Sequence, residues 1–402
     1  MSLKFKVEYL KAIRERYFNS NRPQKSKILN ELCEVTGYNR KYAIRILAKG
    51  HHEGPKASGR CKAYSDITFY HLKKLWHLMG RICSRKMVAG FETWLKYYNE
   101  PGFGPIVKDE LLSMSAATVD RYLNGYKSKF ARTKRSGTVR GCKKFQNTIP
   151  LKDFTIKTQR PGFVEADTVA HCGSSLSGKF AWSLTVTDVY SGWTDNRAFH
   201  GKTADNVLTA IISIDKGLPY TLRSFNSDNG TEFLNNYLVE FFRDLKKIPM
   251  TRSRAYRKND NCHVEQKNFT HVREVFGYER FENEFLTDYM NDIYQNYLNP
   301  LLNYFTPQLK LIEKKRVGSK YYRKYGPAQT PYQRLLASPD ISMRQKELLR
   351  RSYTKLNPIE IKRALSKKLS NFKKIYERIG SVSSDDVEAS SLNIEHILKL
   401  YA

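Results

Sequence analysis

The chain has 402 residues, 40% hydrophobic and 13% aromatic, with a formal net charge of +31. That length predicts about two to four domains, the apolar content excludes a disordered chain, and no apolar run reaches the roughly 18 residues of a membrane span. Residues 1–150 carry 31 Lys and Arg against 11 Asp and Glu, residues 151–280 carry 18 against 15, and the remainder 21 against 13.

A basic N-terminal third beside a nearly neutral middle predicts a division of labour, the first part gripping a polyanion through phosphate contacts. Six cysteines at 33, 61, 83, 142, 172 and 262 include no Cys-x-x-Cys pair, which argues against a disulfide framework and a structural zinc. The start, Met1-Ser-Leu-Lys-Phe-Lys-Val-Glu8, lacks the apolar stretch of a signal peptide, so the expected compartment is the cytoplasm, at the bacterial nucleoid.

In chain order, residues 1–50 read as a first helix-turn-helix domain. Ile28, Leu29, Leu32 and Val35 mark one helical face, Gly37 suits a left-handed cap, and a helix over 39–49 turns Ala43, Ile44 and Leu47 inward. Its outer face shows Arg40, Lys41 and Arg45, which are candidate DNA contacts. A basic Gly/Pro linker follows over 51–65, then a second helix-turn-helix or helical domain over 66–126, in which Ser115 caps a helix with Val119, Tyr122 and Leu123 inward.

Residues 127–155 form a basic linker, and its Lys127, Lys129, Arg132, Lys134 and Arg135 are expected to follow the phosphate backbone. At 156–300 the period changes. Strands over 162–170, 180–189 and 193–199 form an antiparallel unit, followed by a helix over 203–216, a strand over 221–226, a helix over 235–246, a strand over 248–251 and a helix from 261. Residues 301–340 are a basic, tyrosine-interleaved extension, and 341–402 a Lys/Arg-rich helix pair with a flexible acidic linker before a short terminal helix.

Three carboxylates carry the chemistry. Asp167 lies in the strand-like Phe163-Val-Glu-Ala-Asp-Thr168, Asp228 in Ser227-Asp-Asn-Gly-Thr-Glu-Phe233 at a strand-to-turn junction, and Glu265 in the helix-like Asn261-Cys-His-Val-Glu-Gln-Lys-Asn268. Carboxylates from such different elements converge only by folding, and their use is to hold hard divalent cations through oxygen. Phosphoryl transfer between DNA strands needs an activated oxygen, a stabilised leaving oxygen and charge neutralisation, which two Mg²⁺ (or Mn²⁺) ions about 3.5–4 Å apart supply. Glu165 and Asp188 compete as ligands on chemistry alone, Asp188 reading rather as a turn former. His171 and His263 read as polar structural groups, because two-metal chemistry needs no histidine base.

These stretches, with Thr251-Arg-Ser-Arg-Ala-Tyr-Arg-Lys258 before the third carboxylate, resemble the integrase-type transposases of bacterial insertion sequences. Those are relatives of retroviral integrases in the Asp-Asp-Glu, RNase H-like superfamily. The spacings of 61 and 37 positions are similar to the family's, and the likeness spans roughly 155–335.

The resemblance implies a multidomain protein: N-terminal all-α helix-turn-helix domains, a central α/β RNase H-like mixed five-stranded sheet, and a basic C-terminal extension with helices. It implies that Asp167, Asp228 and Glu265 are catalytic metal ligands and that Lys258 and Lys267 contact the element end. Arg252, Arg254 and Arg257, in the loop before the third ligand, are placed to hold phosphates. The implied partner is double-stranded DNA, both element ends and target, bound by a homo-oligomer with no membrane involved. A catalytically silent descendant and a helix-turn-helix regulator, each only binding DNA, are the competing readings.

Overall fold

The computed structural model describes residues 3–49, 64–127, 130, 149–152, 160–254 and 260–381. Six candidate DNA contacts (Lys129, Arg132, Lys134, Arg135, Arg257, Lys258) lie outside the described residues, as does the acidic linker after Ser381. The chain divides into two compact units, Met1–Ser65 and Asp66–Ala402.

The first unit is three helices, α1 (Leu3–Phe18), α2 (Arg22–Thr36) and α3 (Arg40–Lys49). Asn21 caps α2 reciprocally with Gln24, and Gly37, at φ 72°, ends it by donating its N–H to the Cys33 carbonyl. Leu10, Ile13, Ile28, Leu29, Leu32, Ala43 and Leu47 form the core.

Two expected inward positions face out instead, Val35 and Ile44. Thr36, four residues from Leu32, takes the buried place and donates its hydroxyl to the Leu32 carbonyl. Ala43 and Leu47 stand one above the other, and so small a core leaves no room for the Ile44 shoulder.

The second unit begins with α4 (Asp66–Leu78), α5 (Ser84–Trp94), α6 (Pro105–Ser113) and α7 (Ala116–Lys127). Their apolar stripes meet in Leu72, Leu75, Met87, Phe91, Leu111, Val119 and Leu123, all buried. Ser115 Oγ accepts from Thr118 N at 3.2 Å, capping α7. Trp94 Nε1 donates to the Phe305 carbonyl at 3.0 Å, tying this block to a segment 211 residues on within the same unit.

A mixed five-stranded sheet follows, in the order β3-β2-β1-β4-β5. Its strands are β1 (Phe163–Ala170), β2 (Ala181–Asp188), β3 (Thr194–His200), β4 (Ser224–Ser227) and β5 (Met250–Arg252). The first three pair antiparallel; β4 joins β1, and β5 joins β4, in parallel. Strand β4 starts three residues later than expected, because Arg223 and Ser224 both turn their N–H groups to the Gly162 carbonyl.

One sheet face packs Val164, Ala166, Leu184, Val186 and Phe225 against α8 (Ala204–Gly217) and α9 (Asn236–Glu240). The other face is polar yet buried. Ser183 bonds His171 and Tyr294, Asn196 bonds Thr185 and His271, and Asn303 bonds both the N–H and the carbonyl of Thr194.

Covering that face is a helix that runs as α10 (Cys262–Lys267), a wider π-type stretch over Asn268–Arg273, and α11 (Glu274–Phe276). A second covering helix, α12 (Phe285–Asp292), continues to Phe305 with π-type turns on either side of Pro300, which lacks the N–H an α-turn needs. A hairpin of β6 (Leu311–Val317) and β7 (Lys320–Tyr325) precedes α13 (Pro331–Ala337), α14 (Met343–Thr354) and α15 (Pro358–Ser381). Among the described residues no helix is long and apolar enough to cross a membrane.

Candidate active site

Strand pairing brings the first two carboxylates together. In the parallel β1–β4 ladder Ala166 stands opposite Ser227, so Asp167, midway along β1, and Asp228, just past the end of β4, are the next residues on neighbouring strands. Asp167 accepts from its own neighbour's N–H at Thr168 (2.9 Å) and from Asn268 Nδ2 (2.6 Å), where the covering helix widens. Asp228 accepts from Gly230 N at 3.0 Å, an Asx-type turn that ends β4.

The third carboxylate comes from α10, and that helix is hung on the sheet by Glu165. Glu165 is 1% exposed; one carboxylate oxygen takes Lys152 at 2.8 Å, and the other accepts the N–H groups of His263 (3.0 Å) and Val264 (3.4 Å). Two N–H groups at a helix start thus receive a fixed negative partner. Buried Asn226 adds a second tie, reaching Asn261 Oδ1 at 2.7 Å, Ser253 Oγ at 3.2 Å and, as acceptor, Thr251. Glu165 is therefore a positioning residue, and Asp188 a turn former, accepting from Gly162 N and from the N–H and hydroxyl of Ser191.

A fourth carboxylate is present that the sequence reading did not single out. Glu232, 3% exposed, accepts from Thr168 Oγ1 at 2.8 Å and pairs with Lys202 at 2.7 Å, while its Oε2 has no partner. It lies over Gly230, whose missing Cβ would stand 2.3 Å from that orphan oxygen. Its signal was present, four residues past Asp228 within one motif; nothing in the sequence pointed to Lys202.

Burial, then the charges of Asp228, Glu232 and Glu265, push the Asp167 carboxyl well above the usual range. Burial and the Glu232 charge lift Asp228 to about 6. Like charges held together out of water call for a cation. Among the described residues no three side chains already clasp one point as ligands. The fit is electrostatic, with an orphan carboxylate oxygen to spare, and Glu265 on the exposed edge of α10 would have to swing inward to complete a cage.

A pH dependence follows. A carboxyl whose folded-state value is raised favours the protonated fold, so stability from Asp228 is present at low pH and is lost as pH rises from about 4, the unfolded value, through about 6, and Asp167, also raised, acts in the same direction. Mn²⁺ added at pH 7.5 is expected to raise the melting temperature, and the same addition at pH 5 to do much less. Equal shifts at both pH values would remove the carboxylates as the binding group.

The remaining candidates are scattered. Arg40 braces α2 through Asn30 and Ser26, Arg45 lies over the Tyr42 ring at 5.2 Å, and Lys41 is exposed; all three belong to the first unit. Lys127 pairs with Asp120 at 2.6 Å. Arg252 donates to the Ile149 carbonyl and to Asn229, and Arg254 pairs with buried Asp260, so both brace the loops around the site.

Lys267, on α10, is half-buried, and burial with the charges of Lys86 and Arg334 pushes its ammonium down to about 7. Among the described residues neither Lys86 nor Lys267 forms an ion pair, and the third cation beside them, Arg334, is buried and donates to the Ser191 and Gln308 carbonyls. Of the two histidines, His171 is buried against Phe281 and Ser183, and burial with the Arg273 charge pushes it down to about 3. Its role is structural.

No family model matches the chain. The uncharacterized protein y4rM of Sinorhizobium fredii (strain NBRC 101917 / NGR234) is 33% identical over 340 residues, 83% of this chain and 96% of that one. Among solved structures, the catalytic core domain of BIV integrase is matched at 16% identity over 43% of this chain and 91% of its own, with a TM-score of 0.27. The catalytic core domain of HTLV-2 integrase, in complex with magnesium and in a dimeric form, is matched at 18% identity over 37% of this chain and 90% of its own, again with a TM-score of 0.27.

Proposed function

The chain belongs to the family of the uncharacterized protein y4rM of Sinorhizobium fredii, and we propose that it is a DNA transposase of integrase type, cutting the 3′ ends of a mobile element and joining them to target DNA. The observation that carries this reading is the placement of Asp167 and Asp228 one step past Ala166 and Ser227 on neighbouring parallel strands, with Glu265 delivered by the helix that Glu165 anchors. A sheet of order 3-2-1-4-5 with its antiparallel half first supports the RNase H-like assignment that the three acidic motifs imply.

Asp167, Asp228 and Glu265 would hold two divalent cations, magnesium or manganese, which supply activation of the attacking oxygen and neutralisation of charge at phosphorus when bound. The protein's own groups do the rest. Asn268 fixes one Asp167 oxygen and Thr168 N the other, setting the direction in which that carboxylate faces. Gly230 N does the same for Asp228. Lys202 holds Glu232 and partly offsets the cluster's charge until cations arrive. The basic first unit, with Arg40, Lys41 and Arg45 outward, would hold duplex DNA at the element end. Joining requires two ends at once, so the working form is a homo-oligomer on DNA.

The test is incubation of the full chain with labelled duplexes from either side of its gene in Mg²⁺ or Mn²⁺. Expected are 3′ nicks and joined products that a chelator abolishes. Tight binding with no product under any divalent metal would favour a DNA-binding descendant without catalysis.

A further inference from the structure

The β6–β7 hairpin is not used by the site above, and its exposure is unusual. Every residue of both strands is exposed, so neither face of this two-stranded ribbon is covered by the described residues. Such a ribbon is marginal in water unless something packs on it. Its root is nevertheless firm: Gln308 and Gln329 exchange backbone hydrogen bonds (2.8 and 3.2 Å), and Gly326 N donates to the Lys310 carbonyl at 2.9 Å.

The strands hold six Lys or Arg against the single acid Glu313. Alternation distributes them evenly, with Lys315, Lys320 and Lys324 on one face beside Tyr322. The opposite face has Lys314, Arg316 and Arg323 beside Tyr321, whose ring lies 4.9 Å from Lys314 Nζ and 5.8 Å from the Arg316 guanidinium. Cations laid against an aromatic ring keep their direction without losing their charge.

We propose that this ribbon is a duplex-DNA contact separate from the carboxylate site, seated in a major groove with the cations of both faces turned to the phosphates on either side. This rests on the reading of the chain as a DNA strand transferase. Six paired positions span roughly 20 Å at about 3.4 Å each, and a major groove about 12 Å wide admits a two-stranded ribbon. Charge on both faces is what a groove with two phosphate walls requires. A membrane surface would want one apolar face, and this ribbon has none.

Two variants of the full chain test it. In one, residues 312–324 are replaced by a short Asn-Gly turn above the Gln308–Gln329 pair; in the other the six Lys and Arg become Gln and the ribbon stays. Affinity for a short duplex is measured against salt concentration. Both variants are expected to bind at least about tenfold more weakly at physiological salt, with a log–log salt slope shallower by about 3 to 5, since each phosphate contact contributes about 0.9. Their melting temperatures should match that of the unaltered chain.

Unchanged affinity and slope in both variants, with the unaltered chain binding duplex, would overturn the ribbon's role and leave the transferase reading standing. Failure of the unaltered chain to bind any duplex would sink both. Ribbon-dependent binding of an RNA duplex or of an acidic protein, without any for DNA, would overturn the assignment to DNA.

Discussion

Asp228→Asn is expected to abolish metal-dependent strand transfer while making the metal-free protein more stable. The change keeps an acceptor oxygen for Gly230 N, so the turn that ends β4 survives. It removes one negative charge from a buried group whose carboxyl burial and then the charge of Glu232 already hold at about 6. Losing about 4 kcal/mol of transition-state stabilisation from one metal-binding carboxylate lowers the rate by about a thousandfold or more. The same substitution relieves like-charge crowding with Asp167, Glu232 and Glu265, so the metal-free melting temperature should rise at pH 7.5 by about 1–3 °C. The further rise caused by Mn²⁺ should shrink or vanish. Rate and stability therefore move in opposite directions, which a merely damaging mutation cannot produce. Joining at the unaltered rate, or a metal-free melting temperature that falls, would remove Asp228 from the proposed role.

How much of this was legible in the sequence differs between the backbone and the side chains that dress it. The three antiparallel strands, the alternation of helix and strand after them, and the convergence of Asp167 with Asp228 follow from period and from motif position, because strand ends and turns are set locally. The role of Glu165 was open, since a strand places it on the same side as Asp167 and chemistry alone offers both as ligands. Only the tertiary approach of α10 decides it, by bringing the N–H groups of His263 and Val264 to its carboxylate.

Glu232 was passed over although it stands in a quoted motif, because its pairing with Lys202, at the turn after β3, is not encoded by spacing. The polar side of β2 misleads in a similar way. Ser183, Thr185 and Thr187 alternate with apolar residues as if half the sheet met water, yet helices cover them and hydrogen bonds replace that water. Val35 and Ile44 show the limit of a helical stripe, which names a broad face while a small core uses only part of it.

Removing the Glu165 carboxylate should be the most destabilising single change near the site and should also slow the chemistry. In Glu165→Ala the N–H groups of His263 and Val264 lose their acceptor, and the 2.8 Å ion pair of Lys152 with this carboxylate is lost. A broken pair of this kind costs about 3 kcal/mol, at the low end because Lys152 retains some access to water. Among the described residues the start of α10 then keeps its tie through Asn226 and Asn261, while the helix that carries Glu265 loses its anchor on β1.

Strand transfer per folded molecule is accordingly expected to fall by at least about tenfold, since misplacement by an ångström has effects of that order. Glu165→Gln keeps an acceptor oxygen for the helix but not the charge that holds Lys152. It should recover most of the rate and only part of the stability. That split separates positioning from simple structural support, for which rate per folded molecule would stay level while melting temperature dropped in both variants. If Glu165→Ala turned over like the unaltered chain once corrected for its folded fraction, Glu265 would be held by something other than this cap.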